Sequence, residues 1–96
     1  MVEVNVEFEG MVREELADHI RKFTVTEDNV AALIDVLCDY YGEGLVSLMK
    51  DPSTNVYYDK HVWILINGRS IRDLQGTDTM LKDGDKVMVT SPVGGM

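Results

Sequence analysis

Thiols are almost absent: Cys38 is the single cysteine among 96 residues. One thiol permits no internal disulfide, which favours a reducing, cytoplasmic setting over a stapled extracellular scaffold. No apolar run approaches the length of a membrane span, so no spanning helix is expected. The opening Met1-Val2-Glu3-Val4 alternates like a strand and lacks a signal-peptide pattern. Basic residues are also few. Nine Lys and Arg against seventeen Asp and Glu leave a net charge of −8, which argues against non-specific nucleic-acid binding and for partners with basic surfaces. His19 and His61 are far apart, without a neighbouring Cys or ligand spacing, so no metal site is expected. No internal repeat, linker or low-complexity stretch is present.

What is present suits one small globular domain, 45% hydrophobic and 27% charged. A chain of this size holds a single core but not a core plus a deep catalytic cleft. Val2, Val4, Val6 and Phe8 alternate with Glu3, Asn5, Glu7 and Glu9, the pattern of a strand with one buried face. Gly10 breaks it, and Met11 to Asp18 reads as a loop with a short helical turn. Lys22 to Val25 alternates again. Thr26 or Asp28 is placed to cap a helix carrying Val30, Leu33, Ile34, Leu37 and Tyr41 at helical spacing, with Gly42 at its C-terminal cap.

Leu45 to Met49 reads as one further turn, stopped at Asp51-Pro52-Ser53, and Lys50 to Lys60 as an irregular loop. Val62-Trp63-Ile64-Leu65-Ile66 is apolar on both faces, as in a central strand. Asn67-Gly68 marks a tight turn into a short edge strand over Arg69 to Arg72, and Asp83-Gly84-Asp85 a turn into a last strand over Lys86 to Thr90. The order predicts one mixed sheet with one main helix packed on one face, an α+β class. Val4, Val6, Phe8, Leu33, Ile34, Leu37, Ile64, Ile66, Val87 and Val89 are expected to share its core.

If Val62, Ile64 and Ile66 face the helix, alternation sends Trp63 and Leu65 to the open face, with Met88 beside them. That face is either an apolar docking patch bordered by Glu3, Glu7 and Glu9, or is covered by the Lys50–Lys60 loop through Tyr57 and Tyr58. Cys38 lies at the edge of the helical stripe with no evident base, which fits a packed thiol rather than a nucleophile. Asp83-Gly84-Asp85 lacks the later ligands of a calcium loop.

The chain then runs Ser91-Pro92-Val93-Gly94-Gly95-Met96. Two consecutive glycines add nothing to a core or sheet, but they thread a backbone into a slot where any Cβ would clash. The expected division is therefore a domain over 1–93 and a flexible tail over 94–96, with a C-terminal carboxyl as the reactive group. Met96 covers that carboxyl by one residue.

Asn67-Gly68-Arg69, Leu81-Lys82-Asp83-Gly84-Asp85-Lys86-Val87 and Ser91-Pro92-Val93-Gly94-Gly95 resemble the MoaD/ThiS family of ubiquitin-like sulfur carriers. Val12-Arg13-Glu14 is also similar to that family, and Leu48-Met49-Lys50-Asp51-Pro52-Ser53 to the CysO-type carriers of cysteine synthesis. The resemblance implies a β-grasp fold and a carrier that is not itself an enzyme and binds no cofactor. It implies adenylation of a terminal glycine, here Gly95, by a MoeB/ThiF-type activating enzyme that uses ATP, followed by conversion to a thiocarboxylate. Pro92, Val93 and Gly94 would form the arm, and Trp63, Leu65 and Met88 the docking face.

Molybdopterin or tungstopterin synthesis, with a MoaE-like large subunit or another sulfur acceptor, is the leading expectation. A CysO-like carrier, a protein modifier and a non-catalytic interaction module remain open beside it. Two departures stand out. Ser91-Pro92 replaces the family's Pro-Pro. Met96 either takes the terminal-glycine position in a gapless alignment from Asp83 or is an extension, of the kind a JAMM-type metalloprotease removes.

Overall fold

The alternating apolar residues at the start of the chain form β1 (Val2–Phe8), whose Val4, Val6 and Phe8 are completely buried. The computed structural model describes residues 1–58 and 60–91. Helix α1 (Gly10–Leu16) follows, then β2 (Ile20–Val25), α2 (Val30–Tyr41) and α3 (Glu43–Met49). The second half contains β3 (Trp63–Ile66), β4 (Arg69–Ser70), two 3-10 turns at Ile71–Asp73 and Gly76–Asp78, and β5 (Lys86–Thr90).

The five strands form one mixed sheet in the order β2-β1-β5-β3-β4. β1 and β5 run parallel, with Val6 opposite Val87 and Phe8 opposite Val89. β3 is antiparallel to β5, with Ile64 opposite Val89. The last strand is thus central, and β3 is interior between it and the short β4. Because side chains alternate across a pleated strand, these registers send Val4, Val6, Phe8, Ile64, Ile66, Val87 and Val89 to one face. Leu33, Ile34 and Leu37 of α2 pack on that face in the same cluster, which contains every expected core residue.

Several boundaries differ from expectation. Met11 to Asp18 is more ordered than a loop with one turn. α1 spans seven residues, buries Val12, and ends at Ala17 with φ +54°. α2 is capped by Asn29, whose side-chain oxygen accepts from Ala32 N at 2.8 Å, rather than by Thr26 or Asp28. Asn29 directly precedes the first helical residue, the position from which a side chain reaches the exposed amides, while Asp28 turns its carbonyl to Leu81 N at 2.8 Å. Gly42 closes α2 as expected, donating to Cys38 O. α3 is longer than the single turn anticipated, because Leu45 and Met49 both reach the core. β4 stops at Ser70 because Ile71 turns inward and is buried.

The two turns expected around β3 and β5 are joined. Asn67 and Gly68 have φ +51° and +86°, as in the turn that suits a tight hairpin. Asn67 Nδ2 donates to Asp85 Oδ1 at 2.9 Å, and Asn67 Oδ1 accepts from Lys86 N at 3.0 Å. Asp83 Oδ1 accepts from Glu3 N at 2.8 Å, and Asp85 Oδ2 from Lys82 N at 2.9 Å. The carboxylates of Asp83-Gly84-Asp85 thus serve backbone donors and fix a turn.

A ring cluster closes one end of the core. Tyr41 stacks edge-on against Phe8 with centroids 5.2 Å apart and against Tyr40 at 4.8 Å. Tyr41 OH donates to Asp18 Oδ2 at 2.6 Å, and Arg21 Nε donates to the same oxygen at 2.8 Å. The Tyr41 bond first, and then that of Arg21, holds the Asp18 carboxyl below its ordinary value. Burial, followed by Asp18, pushes the Tyr41 hydroxyl up.

The signs of these shifts set a pH dependence. The Asp18 contribution is fully present above the unfolded carboxylate value of about 4 and is lost as pH falls through the lower folded value. Above about pH 10 an unfolded tyrosine releases its proton while Tyr41 keeps it, so stability declines there. Asp18→Asn should cost about 1–2 kcal/mol at neutral pH and flatten the acid limb of a urea-midpoint profile. Acid limbs of equal slope in the two proteins would remove Asp18 from the account.

Candidate functional site

The face of the sheet opposite the helices carries the second set of alternating side chains. Leu65 pairs directly with Met88, and Met88 with Glu7, which in turn pairs with Ile20. One row across four strands is therefore Leu65, Met88, Glu7 and Ile20. The neighbouring row places Trp63 opposite Thr90. Trp63, Leu65 and Met88 are half-buried, while Ile20 is 59% exposed. The structure thus brings the three expected residues together and adds Ile20. Arg72 lies over the Trp63 ring, 5.9 Å from its centroid. Lys22 and Lys86 flank Asn5 in the row on the other side, so the border is mixed rather than purely acidic.

The loop considered as a cover for this face is tied elsewhere. Tyr58 N donates to Met49 O at 3.0 Å and Asp51 N to Val56 O at 2.9 Å, which anchors the segment to the end of α3. Tyr57 packs against the core and donates its hydroxyl to Val62 O at 3.0 Å. Among the described residues this segment closes the helix side of the sheet.

His19 lacks ligand spacing to His61 or a cysteine in the sequence, and the fold of the chain from β1 through α1 to β2 brings it to two glutamates. Its Nε2 lies 3.1 Å from Glu9 Oε2 and 3.8 Å from Glu7 Oε2. One donor atom from each of the three residues falls within 4.8 Å of the others. The set is of a kind that can hold a divalent ion, although Glu9 is already engaged, by the contact with His19 Nε2 and by an ion pair with Arg13 at 3.7 Å. The Glu9 carboxyl is held below its ordinary value, first by its hydrogen bond with Glu7 and then by that with His19. Cys38 is buried, and burial pushes its thiol up, which opposes thiolate chemistry.

β5 ends at Thr90, where Ser91 leaves the sheet. Ser91 Oγ accepts from Met11 N at 2.9 Å, so the start of the tail is held against α1. Trp63 sits opposite the residue just before this point, which places the open face beside the root of the tail. Pro92, Val93, Gly94, Gly95 and Met96, and with them the expected boundary between domain and tail, lie outside the described residues.

A profile of the ThiS family matches residues 6–95, nearly the whole chain. The chain belongs to the ThiS family. The fold of this ThiS-family chain is accordingly the ubiquitin-like β-grasp, and the family is one of small sulfur carriers rather than enzymes.

Solved structures agree over the full length. Small archaeal modifier protein 1 of Methanosarcina acetivorans is 27% identical, with 100% of this chain and 98% of that one covered and a TM-score of 0.81. The HVO 2177 protein of Haloferax volcanii is 30% identical, with 99% and 87% covered and a TM-score of 0.78. A Pyrococcus furiosus protein assigned as molybdopterin converting factor subunit 1 is 26% identical, with 97% and 100% covered and a TM-score of 0.76. No curated protein matches. Among the described residues, no helix is long and apolar enough to cross a membrane.

Proposed function

We propose that this chain carries sulfur for synthesis of a molybdopterin-type or tungstopterin cofactor, in the cytoplasm, as a thiocarboxylate at Gly95. A carboxylate is a poor electrophile, because its charge repels nucleophiles and its leaving group would be oxide. A MoeB/ThiF-type activating enzyme would join the Gly95 carboxylate to the α-phosphate of ATP and release pyrophosphate. A sulfide-level donor then attacks the acyl carbon and expels AMP. The thiocarboxylate that remains is a soft nucleophile for a MoaE-like large subunit or another sulfur acceptor. The carrier contributes no side chain to these steps. It contributes an arm and a place to hold on to.

The observation that carries this reading is the adjacency of the open face to the root of the arm, with Trp63 opposite Thr90 and Leu65 opposite Met88. The four residues from Pro92 to Gly95 span at most about 14 Å from Ser91. A partner that receives Gly95 must therefore sit against the surface near that root, and the half-buried apolar group at Trp63, Leu65 and Met88 is there to meet it. Because any residue after Gly95 would block the carboxyl, Met96 must be removed first, a task suited to a JAMM-type protease. Similarity to the Pyrococcus furiosus protein supports the molybdopterin assignment. Similarity to small archaeal modifier protein 1 favours a second reading, in which a lysine amine captures the same acyl adenylate as an isopeptide.

The test is charging by a purified activating enzyme with ATP, followed as pyrophosphate release. Trp63→Ala and Leu65→Arg should raise the carrier concentration needed for half-maximal charging by about thirtyfold, as expected for central anchors worth about 2 kcal/mol, without loss of fold. Unchanged charging in both variants would remove the open face from the proposal. A chain ending at Gly95 that is never adenylated would remove the carrier chemistry.

A further inference from the structure

We propose that Ser91 and Gly10 form a clamp that aims the arm, with Ser91 acting as a positioning residue for charging of Gly95; this rests on the carrier reading above. The sequence marks the place, since Ser91 stands where the MoaD/ThiS pattern has the first of two prolines. A proline has no hydroxyl, so the contact made by Ser91 is a property of this chain.

Helix α1 lacks a side-chain cap at Glu9, the residue before it. Its early amide at Met11 is instead satisfied by Ser91 Oγ at 2.9 Å, from a residue 80 positions later in the chain. The approach depends on Gly10. A Cβ at that position would stand 2.8 Å from Ser91 Oγ, and φ of +65° is a conformation that favours glycine. Glu9 N donates to Val89 O at 3.0 Å, so the backbone on both sides of the clamp is fixed to the sheet. Three bonds around one corner therefore set where the chain leaves the body: that of Glu9 to Val89, that of Met11 to Ser91, and the 3.3 Å bond from Thr90 Oγ1 to Ser91 O.

The clamp has a kinetic consequence. The partner is held by the open face, whereas the reactive carboxyl is delivered by an arm of four residues. Fixing the root at Ser91 limits the volume that an arm of this length can search, so releasing it reduces the fraction of docked complexes with the carboxylate in line with ATP. Misplacement of this kind lowers turnover while leaving docking intact.

The experiment compares chains ending at Gly95 that carry Ser91→Ala, Ser91→Thr or Gly10→Ala. Hydrogen exchange at the Met11 amide reads the clamp, and steady-state charging by the activating enzyme with ATP reads the arm. Ser91→Ala should speed Met11 exchange about fivefold, the loss of one modest hydrogen bond. It should lower kcat for charging on the order of tenfold with KM changed less than twofold. Ser91→Thr retains a γ-oxygen and should restore both. Gly10→Ala, whose methyl displaces the Ser91 hydroxyl, should reproduce both losses.

Unchanged Met11 exchange in Ser91→Ala would overturn the clamp. Faster exchange with kcat at the wild-type value would overturn its positioning role, as would a loss confined to KM. Failure of the unsubstituted chain to charge is a different result, since it would overturn the carrier reading and with it the role in charging.

Discussion

Truncating Leu33 or Ile64 to alanine should lower the stability of the domain by about 2–5 kcal/mol, the range for deleting a large aliphatic side chain from a packed core. Both side chains are essentially inaccessible, at 0% and 1% exposure, and both belong to the cluster that α2 forms with the sheet. Among the described residues the helices and the sheet share one hydrophobic cluster, and deleting either side chain leaves a cavity inside it. A small domain has little stability in reserve, and the upper part of that range would leave much of the population unfolded at ambient temperature. Urea unfolding followed by tryptophan fluorescence checks this, with Trp63 as the single reporter. A loss below about 1 kcal/mol at both positions would mean that the α2 interface is not the packed core described here.

What could be read from the sequence follows from the length and regularity of each pattern. β1 alternates without exception over seven residues, and α2 repeats its apolar stripe over three turns, so both were legible. The turn at Asn67-Gly68 was legible because few residue pairs tolerate two successive positive φ values. α1 was not, since only Val12 and Leu16 offer an apolar stripe in so short a segment. The cap of α2 was misplaced because four polar residues in a row, Thr26 to Asn29, are all of kinds that can start a helix or the turn before it. In the structure Asn29 directly precedes the first helical residue, and its side chain is the one that reaches Ala32 N.

The candidate site divides along the same line. Alternation alone places Trp63, Leu65 and Met88 on the open face, and the register makes Leu65 and Met88 direct partners there. Ile20 was missed because β2 begins two residues before the expected start at Lys22. The alternation of Ile20, Lys22 and Thr24 with Arg21, Phe23 and Val25 was the available signal. The meeting of His19 with Glu7 and Glu9 depends on hairpin register across α1, and that of Ser91 with Met11 on a contact spanning 80 residues. Neither leaves a local mark in the sequence.

The largest functional effect should come from the end of the chain. Adenylation needs a free glycine carboxylate, and with Met96 in place Gly95 offers only an amide carbonyl. The terminal carboxylate of Met96 is no substitute, because its side chain would have to enter a slot shaped for a residue without a Cβ. A chain ending at Gly95 should therefore charge on the order of a hundredfold faster, or more, than one carrying Met96. Gly95→Ala in the trimmed chain should impair charging for the same steric reason, with reduced backbone freedom added.

The measurement that tests this most directly is the intact mass of the two chains after incubation with the activating enzyme, ATP and a sulfur donor. The trimmed chain should exchange one oxygen for one sulfur at its terminus, and the chain bearing Met96 should keep its mass. Equal sulfur incorporation in both would show that Met96 is tolerated and that no protease step is needed. Sulfur on neither would contradict the carrier account and leave an interaction module built on the same fold.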